Sequence, residues 1–280
     1  MRVADWTELT GNNRSFNPDN PDNPEKSAMT VGVFDGVHKG HQALIEKIVR
    51  YGAYPTVITF RRSPKQVLHP GTAGAVILSL PQKLRIFESL GVSRTILIDF
   101  SEHFSKLKGR DFIEILIRQG AMGYLAVGSN FRCGRGLDTD AALIKDRYET
   151  ADIRIDVVPP VMDRGGPISS SRIREAIREG KLAAAAEALG RNIALDLRGI
   201  EARQEGSETV FCPQGRALPP DGRYPVSVYE ENEENKENDK NKKNDEGKTA
   251  EIQIQHGAVR IPSCFNAVTG IEFISGFQGE

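Results

Sequence analysis

Cysteine is scarce in this chain. Cys133, Cys212 and Cys264 are odd in number and far apart. They offer neither a disulfide framework nor the CxxC pair of a structural metal site. An excess of one charge is lacking too: 37 Lys and Arg stand against 38 Asp and Glu, so net charge gives no push toward nucleic acid or a membrane surface. No apolar run is long enough to span a bilayer. The opening Met1-Arg2-Val3-Ala4-Asp5-Trp6 has no apolar signal-peptide core. These absences predict a soluble cytoplasmic protein with no nucleic-acid or membrane partner. At 280 residues the chain suffices for one large domain, or for one plus a small one.

What is present points to phosphate chemistry. Residues 31–41 read Val31-Gly32-Val33-Phe34-Asp35-Gly36-Val37-His38-Lys39-Gly40-His41, an apolar strand entering a glycine-containing turn with two histidines three apart. A helical pattern, Gln42-Ala43-Leu44-Ile45, follows at once. The first N–H groups of a helix have no partner inside it, and the helix dipole favours an anion there. Gly32 and Gly36 remove side chains where backbone approaches a ligand, and Gly40 lets the helix begin tightly. Two other readings of His38 and His41 stand beside this one: a zinc pair, for which no third ligand is evident nearby, or surface residues at a helix start. A Walker P-loop is excluded, because no Gly-Lys-Ser/Thr follows.

Along the chain, residues 1–29 carry repeated Asn-Pro steps (Asn17-Pro18, Asn20-Pro21, Asn23-Pro24) and read as a flexible N-terminal extension. From residue 30 strand and helix patterns alternate. Strands are predicted at 30–34, 56–60, 95–100, 124–127 and 153–158, and helices at 40–50, 81–90, 109–119, 138–148, 171–178 and 181–189. Such alternation predicts an α/β domain over 30–191, an open parallel sheet with helices on both faces. After Arg191 the patterns are strand-like, predicting a separate small β domain over 192–280. Within it, residues 230–248 are almost wholly Glu, Asn, Lys and Asp, the composition of a solvated, disordered insert.

In open parallel sheets the ligand sits outside the carboxyl ends of the strands. The segments that follow the predicted strands therefore hold the candidate site residues. The second strand ends at Thr59-Phe60 and runs into Arg61-Arg62-Ser63-Pro64; the fourth runs into Gly128-Ser129-Asn130-Phe131-Arg132-Cys133-Gly134. Asn130 has the groups to read a heteroaromatic ring edge, and Phe131 serves equally as a stacking face or as loop packing. The fifth leads to Ile168-Ser169-Ser170-Ser171-Arg172-Ile173-Arg174, a second helix start. Serine there is an ordinary cap. Arg172 in the first turn opposes the helix dipole, which is favourable only with an anion across it.

Taken together these residues resemble the bacterial FAD synthetase family, whose usual form is a bifunctional riboflavin kinase/FMN adenylyltransferase. Residues 32–41 match its GxFDGVHxGH motif, Thr59-Phe60 its TF, Phe100–Leu107 and Asp111-Phe112-Ile113 a middle stretch, Gly128–Gly134 its GxDFxFG loop, and Ile168–Arg174 its ISSTRIR motif. A lone HxGH would mark only the wider nucleotidyltransferase superfamily; five matches in order over about 30–191 are specific.

The resemblance implies a Rossmann-like nucleotidyltransferase domain and transfer of AMP from ATP to FMN, giving FAD and pyrophosphate, with Mg²⁺. It implies catalytic roles for His38, His41 and Arg172. It implies ATP contacts from Gly32, Phe34, Asp35, Gly36, Gly40, Ser169, Ser170 and Ser171, and FMN contacts from Thr59, Asn130, Phe131 and Arg132. The chain also departs from the family. Arg61-Arg62-Ser63-Pro64 replaces an acidic residue, Pro, His and Pro, and no PTAN motif of the kinase domain occurs over 192–280. Leu218-Pro219-Pro220-Asp221-Gly222-Arg223-Tyr224 resembles that domain's LPxDGxY, and Glu251 lies where its catalytic Glu strand would be. A degenerate kinase-like barrel without riboflavin kinase activity is the expectation. Two alternatives remain open: an HxGH nucleotidyltransferase with another phosphate acceptor, and a non-catalytic flavin- or nucleotide-binding protein.

Overall fold

The computed structural model describes residues 1–11, 26–69, 74–231 and 247–274. The chain divides into two compact units, residues 1–73 with 83–168, and residues 74–82 with 169–280. The pattern of the sequence changes at 191, but the second unit takes in the two preceding helices and residues 74–82 as well.

The first unit opens with β1 (Arg2–Asp5) and α1 (Trp6–Thr10), followed by β2 (Ser27–Val31), α2 (Lys39–Arg50), β3 (Tyr54–Phe60), α3 (Pro64–Leu68) and, from Lys83 on, α4 (Leu80–Ser89). Then come β4 (Arg94–Ile98), α5 (Glu102–Ser105), α6 (Gly109–Arg118), β5 (Met122–Gly128), β6 (Arg132–Cys133), β7 (Thr139–Asp140), α7 (Ala141–Tyr148), β8 (Arg154–Val158), β9 (Met162–Asp163) and β10 (Gly166–Pro167). Six strands form one sheet in the order β1-β4-β3-β2-β5-β8, every pair parallel. Strands buried on both faces read as continuous apolar runs, as in Ile96–Ile98 and Leu125–Val127. On one face Met29, Val31, Ile58, Ile96, Leu125 and Val127 pack with Leu9 of α1, Phe112, Ile113 and Leu116 of α6 and Ile144 of α7. Helix α2 lies against β2, β3 and β5 through Leu44, Ile45 and Ile48.

The N-terminal residues differ from the expected loose arm. Arg2–Asp5 adds a parallel edge strand to β4, and Trp6 stacks on Phe112 with ring centroids 5.4 Å apart. The strand escapes a pattern reading because it is short, mixes polar and apolar residues, and leaves Arg2 and Val3 exposed. Residues 12–25, with the Asn-Pro repeats, lie outside the described residues. Strand β2 also begins three residues early. Ser27 is polar yet buried, because the Arg94 guanidinium donates to its Oγ at 2.8 Å and to Thr56 Oγ1 at 3.2 Å. Burial lowers the Arg94 pKa to about 10, and this hub ties together the amino ends of β2, β3 and β4.

The second unit contains α8 (Ser170–Arg178) and α9 (Leu182–Leu189), then β11 (Ala194–Asp196), β12 (Ala202–Glu205), β13 (Glu208–Phe211), β14 (Gly222–Glu230), β15 (Lys248–Gln255), β16 (Ala258–Pro262) and β17 (Val268–Phe273). The strands form an antiparallel, curled half-barrel in the order β11-β17-β14-β15-β16-β13-β12. Residues 74–82 belong here because Val76 bonds to Gly215 O and to the Ala217 N–H, and the Ser79 hydroxyl donates to the buried Asp196 carboxylate at 2.8 Å. Glu230 and Lys248, at the ends of the expected charged insert, pair with each other across β14 and β15; residues 232–246 lie outside the described residues.

Candidate active site

The turn after β2 is strained. Phe34 (φ 52°), Gly36 (φ 81°) and Val37 (φ 39°) all adopt positive φ. Glycine takes that conformation freely, but each of the other two costs about 1–2 kcal/mol. What holds them is burial: the Phe34 and Val37 side chains are fully enclosed, and the Val37 N–H donates to Phe34 O at 3.2 Å. Strain held this way is a mark of functional turns.

The turn delivers His38 as the N-cap of α2, extended at φ −71° and ψ 171°, with no cap bond from its side chain. Its carbonyl accepts from His41 N at 2.7 Å and Gln42 N at 2.9 Å, and the Gln42 amide donates back to Val37 O at 2.9 Å. The rings of His38 and His41 stack, with centroids 3.6 Å apart and planes 20° apart. The Nδ1 atoms of both are buried, and the Phe34 ring meets His41 edge-on at 5.1 Å. The two glycines of the motif follow from this packing. A Cβ on Gly40 would lie 3.2 Å from the His38 ring, and one on Gly32 would lie 3.2 Å from the Phe34 ring.

Beneath the turn lies a residue that the motif does not contain. Lys83 on α4 is 8% exposed, and its Nζ donates to Val33 O (3.1 Å), Thr59 Oγ1 (3.1 Å) and Phe60 O (3.2 Å). The Thr59 hydroxyl in turn donates to Val33 O at 3.1 Å. Burial lowers the Lys83 pKa to about 8, opposed by the charge of Asp35. Thr59, expected from the resemblance among flavin contacts, therefore spends its hydroxyl inside the fold. Arg61 just beyond it pairs with Asp5 and, at 3.4 Å, with Asp99.

The other half of the site in this unit follows β5. Strands β2 and β5 are neighbours, while the chain leaves β2 toward β3 on the other side. This is the switch point at which open sheets of this class bind ligands, and the histidine turn and the loop from Ser129 both leave its carboxyl end. Asn130 and Arg132 are exposed, and Phe131 is half-buried against the core. The loop is anchored through Gly134 (φ 84°), where a Cβ would fall 2.1 Å from Gly109 N, and through Asp138, whose Oδ1 accepts from Gly109 N at 3.0 Å. Burial pushes the Cys133 thiol up to about 12, with the charge of Asp138 acting in the same direction.

The remaining candidates open α8 in the second unit. Ser169 is the N-cap, its Oγ accepting from Arg172 N at 3.3 Å. Arg174 donates to Ser171 Oγ at 3.1 Å, and Ser170 and Arg172 are half-buried in the first turn. Thus the structure brings Gly32, Phe34, Asp35, Gly36, His38, Gly40 and His41 into one turn of the first unit and places Ser169–Arg172 at one helix start of the second. Among the described residues no three His, Cys, Asp or Glu side chains gather as a metal cage, and no helix is long and apolar enough to cross a membrane.

A parallel sheet in this strand order, carrying a histidine-bearing helix start at its switch point, is a Rossmann-like fold of the nucleotidyltransferase type. Comparison with known proteins narrows the class. Residues 20–172 match the family described as FAD synthetase. A bifunctional riboflavin kinase/FMN adenylyltransferase of Escherichia coli (strain K12) is 30% identical over 214 residues, 73% of this chain and 68% of the relative. A FAD synthetase of Listeria monocytogenes is 30% identical over 168 residues, 59% of this chain and 68% of the relative. A solved structure titled a macrolide-efflux protein, from Streptococcus pneumoniae, superposes over the whole chain and 92% of its own length with a TM-score of 0.79 at 22% identity, a likeness of fold. The chain belongs to the FAD synthetase family.

Proposed function

We propose that this protein transfers AMP from ATP, entering as its Mg²⁺ complex, to the phosphate of FMN. The FMN phosphate oxygen bonds to the α-phosphorus, the bond from that phosphorus to the bridging oxygen breaks in line, and pyrophosphate leaves. No covalent enzyme intermediate is needed, so the protein's contribution is positioning and donors aimed at developing charge. The observation that carries this reading is the stacked His38–His41 pair at the start of α2, at the carboxyl end of β2.

In this reading the ring N–H groups of His38 and His41 bear on the ATP phosphates, beside the backbone of Gly32, Phe34, Asp35, Gly36 and Gly40. Arg172 holds the leaving phosphates with Ser169, Ser170 and Ser171. Asn130, Phe131 and Arg132 hold the flavin. Mg²⁺ would be held through the phosphates of the ATP it enters with and would neutralise part of their charge.

The second unit acts without riboflavin kinase activity. Residues 192–280 lack a PTAN motif, and Glu251 on β15 is exposed and paired with Arg223 at 3.3 Å. Incubating the purified protein with FMN and MgATP, and separately with riboflavin and MgATP, tests both statements by chromatography. FAD forms in the first mixture, and FMN does not accumulate in the second. Absence of FAD overturns the first statement; rapid FMN formation overturns the second.

A further inference from the structure

The Lys83 ammonium has three N–H donors, and three oxygens of the first unit accept them: Val33 O, Thr59 Oγ1 and Phe60 O. Thr59 Oγ1 accepts from Lys83 and donates to Val33 O, so one carbonyl receives two donors. That carbonyl belongs to the residue immediately before Phe34, where the backbone first turns to positive φ. Four residues further along α4, on the same helix face, Phe87 meets the Phe34 ring at 5.6 Å. Helix α4 therefore grips the turn at two consecutive residues, at the Val33 carbonyl by charge and at the Phe34 ring by packing.

A buried ammonium is expensive, since taking a charge out of water costs several kcal/mol before its contacts offset it. A strand end needing only stability would be better served by an apolar side chain at position 83. A charge-assisted bond to a carbonyl, however, fixes direction as well as distance. Lys83 does not reach a phosphate: it is enclosed, and its protons are engaged.

We propose that Lys83 and Thr59 are positioning residues for the adenylyl transfer, holding the Val33 carbonyl and so fixing the strained turn on which His38 and His41 stand. The inference rests on the AMP-transfer reading for its kinetic arm and extends it. Thr59 acts through the turn, not through contact with flavin.

The test uses the full chain with Thr59→Val, which keeps the β-branched shape and loses the hydroxyl, Thr59→Ser, which keeps the hydroxyl, and Lys83→Met. Thr95→Val, at a buried threonine of β4, is the control. Steady-state kinetics are read beside the imidazole NMR signals of His38 and His41, assigned by single His→Ala variants. Thr59→Val and Lys83→Met lower kcat by about tenfold or more with KM for ATP and FMN within about twofold, the pattern of displaced catalytic groups. Both shift the two histidine signals, whereas Thr59→Ser and Thr95→Val leave rates and signals near wild type. A folded Thr59→Val with wild-type kcat and unshifted histidines overturns the proposal, as does a Thr59→Ser impaired as deeply as Thr59→Val. If Lys83→Met does not fold, the threonine pair decides. If wild-type protein makes no FAD, the AMP-transfer reading fails by itself, and the histidine signals alone then decide whether Lys83 and Thr59 set the turn.

Discussion

Helix α8 caps itself: the Ser169 hydroxyl accepts from the Arg172 amide, and the chain enters through an ordinary extended residue. Helix α2 does not. Its N-cap is a histidine whose side chain makes no cap bond, and the chain reaches it through three residues of positive φ. The self-capped helix start is the cheaper one to build, because a Ser cap contributes about 1 kcal/mol locally. The other depends on buried anchors, Phe34 and Val37, and on Lys83 and Thr59 beneath them. Catalysis and stability are separable here: at α2 the N-cap position holds one of two stacked imidazoles in place of a capping side chain, while at α8 a serine caps and a cation stands beside it.

The largest effect is expected at the histidines. His38→Ala and His41→Ala each lower the rate of FAD formation by about 10²–10³, the usual loss for one donor to developing charge, with an unchanged unfolding transition. Equal rates in wild type and His38→Ala would remove that residue from the mechanism.

Next in size is the charge beneath the turn. Folding lowers the Lys83 pKa from 10.5 to about 8. Below pH 8 both folded and unfolded chains hold the proton, and the burial cost is present in full. Between about pH 8 and 10.5 the unfolded chain binds a proton that the folded chain does not, so this group makes stability rise with pH, by up to about 3 kcal/mol. Denaturant unfolding across that window shows the increment as the difference between wild type and Lys83→Met; parallel curves contradict it.

Smaller again is Gly40→Ala. Its Cβ meets the His38 ring at 3.2 Å, so the ring must shift by a few tenths of an ångström. The expected loss in kcat is about tenfold, on the sensitivity of bound geometries to small displacements. Wild-type turnover in a folded Gly40→Ala would show that the stacked arrangement is not needed. Smallest is Ser169→Ala, which lowers the unfolding free energy by about 1 kcal/mol through the lost cap. Thermal or denaturant unfolding reads it, and no change would mean that α8 does not depend on Ser169.

Much of the first unit is legible in the sequence because parallel strands announce themselves as apolar runs and the histidine turn carries its own glycines. Lys83 is not legible that way. Its partners are two main-chain carbonyls and one threonine, brought to it only by the order of strands in the sheet. One signal was available: Lys83 lies four residues before Phe87, which places a charge on the apolar face of α4. The edge strand β1 has no such signal, since its register is set by β4. Position 191 marks a real change in composition, but packing does not follow composition. The Ile193 carbonyl and residues Ala194–Asp196 join β17 directly after α9, and the Gln82 side chain donates to Ala194 O at 2.9 Å. Of the candidate residues, the histidines and glycines stand out by motif. The role of Thr59 emerges only when its hydroxyl is seen bonded to Val33 and Lys83.

The most direct measurement follows the α-phosphorus. Purified protein is given FMN and ATP labelled at that atom, and flavin and phosphate products are separated. AMP transfer to FMN gives label in FAD and unlabelled pyrophosphate, one for one. Label retained in ATP, or carried to an acceptor other than FMN, would contradict it.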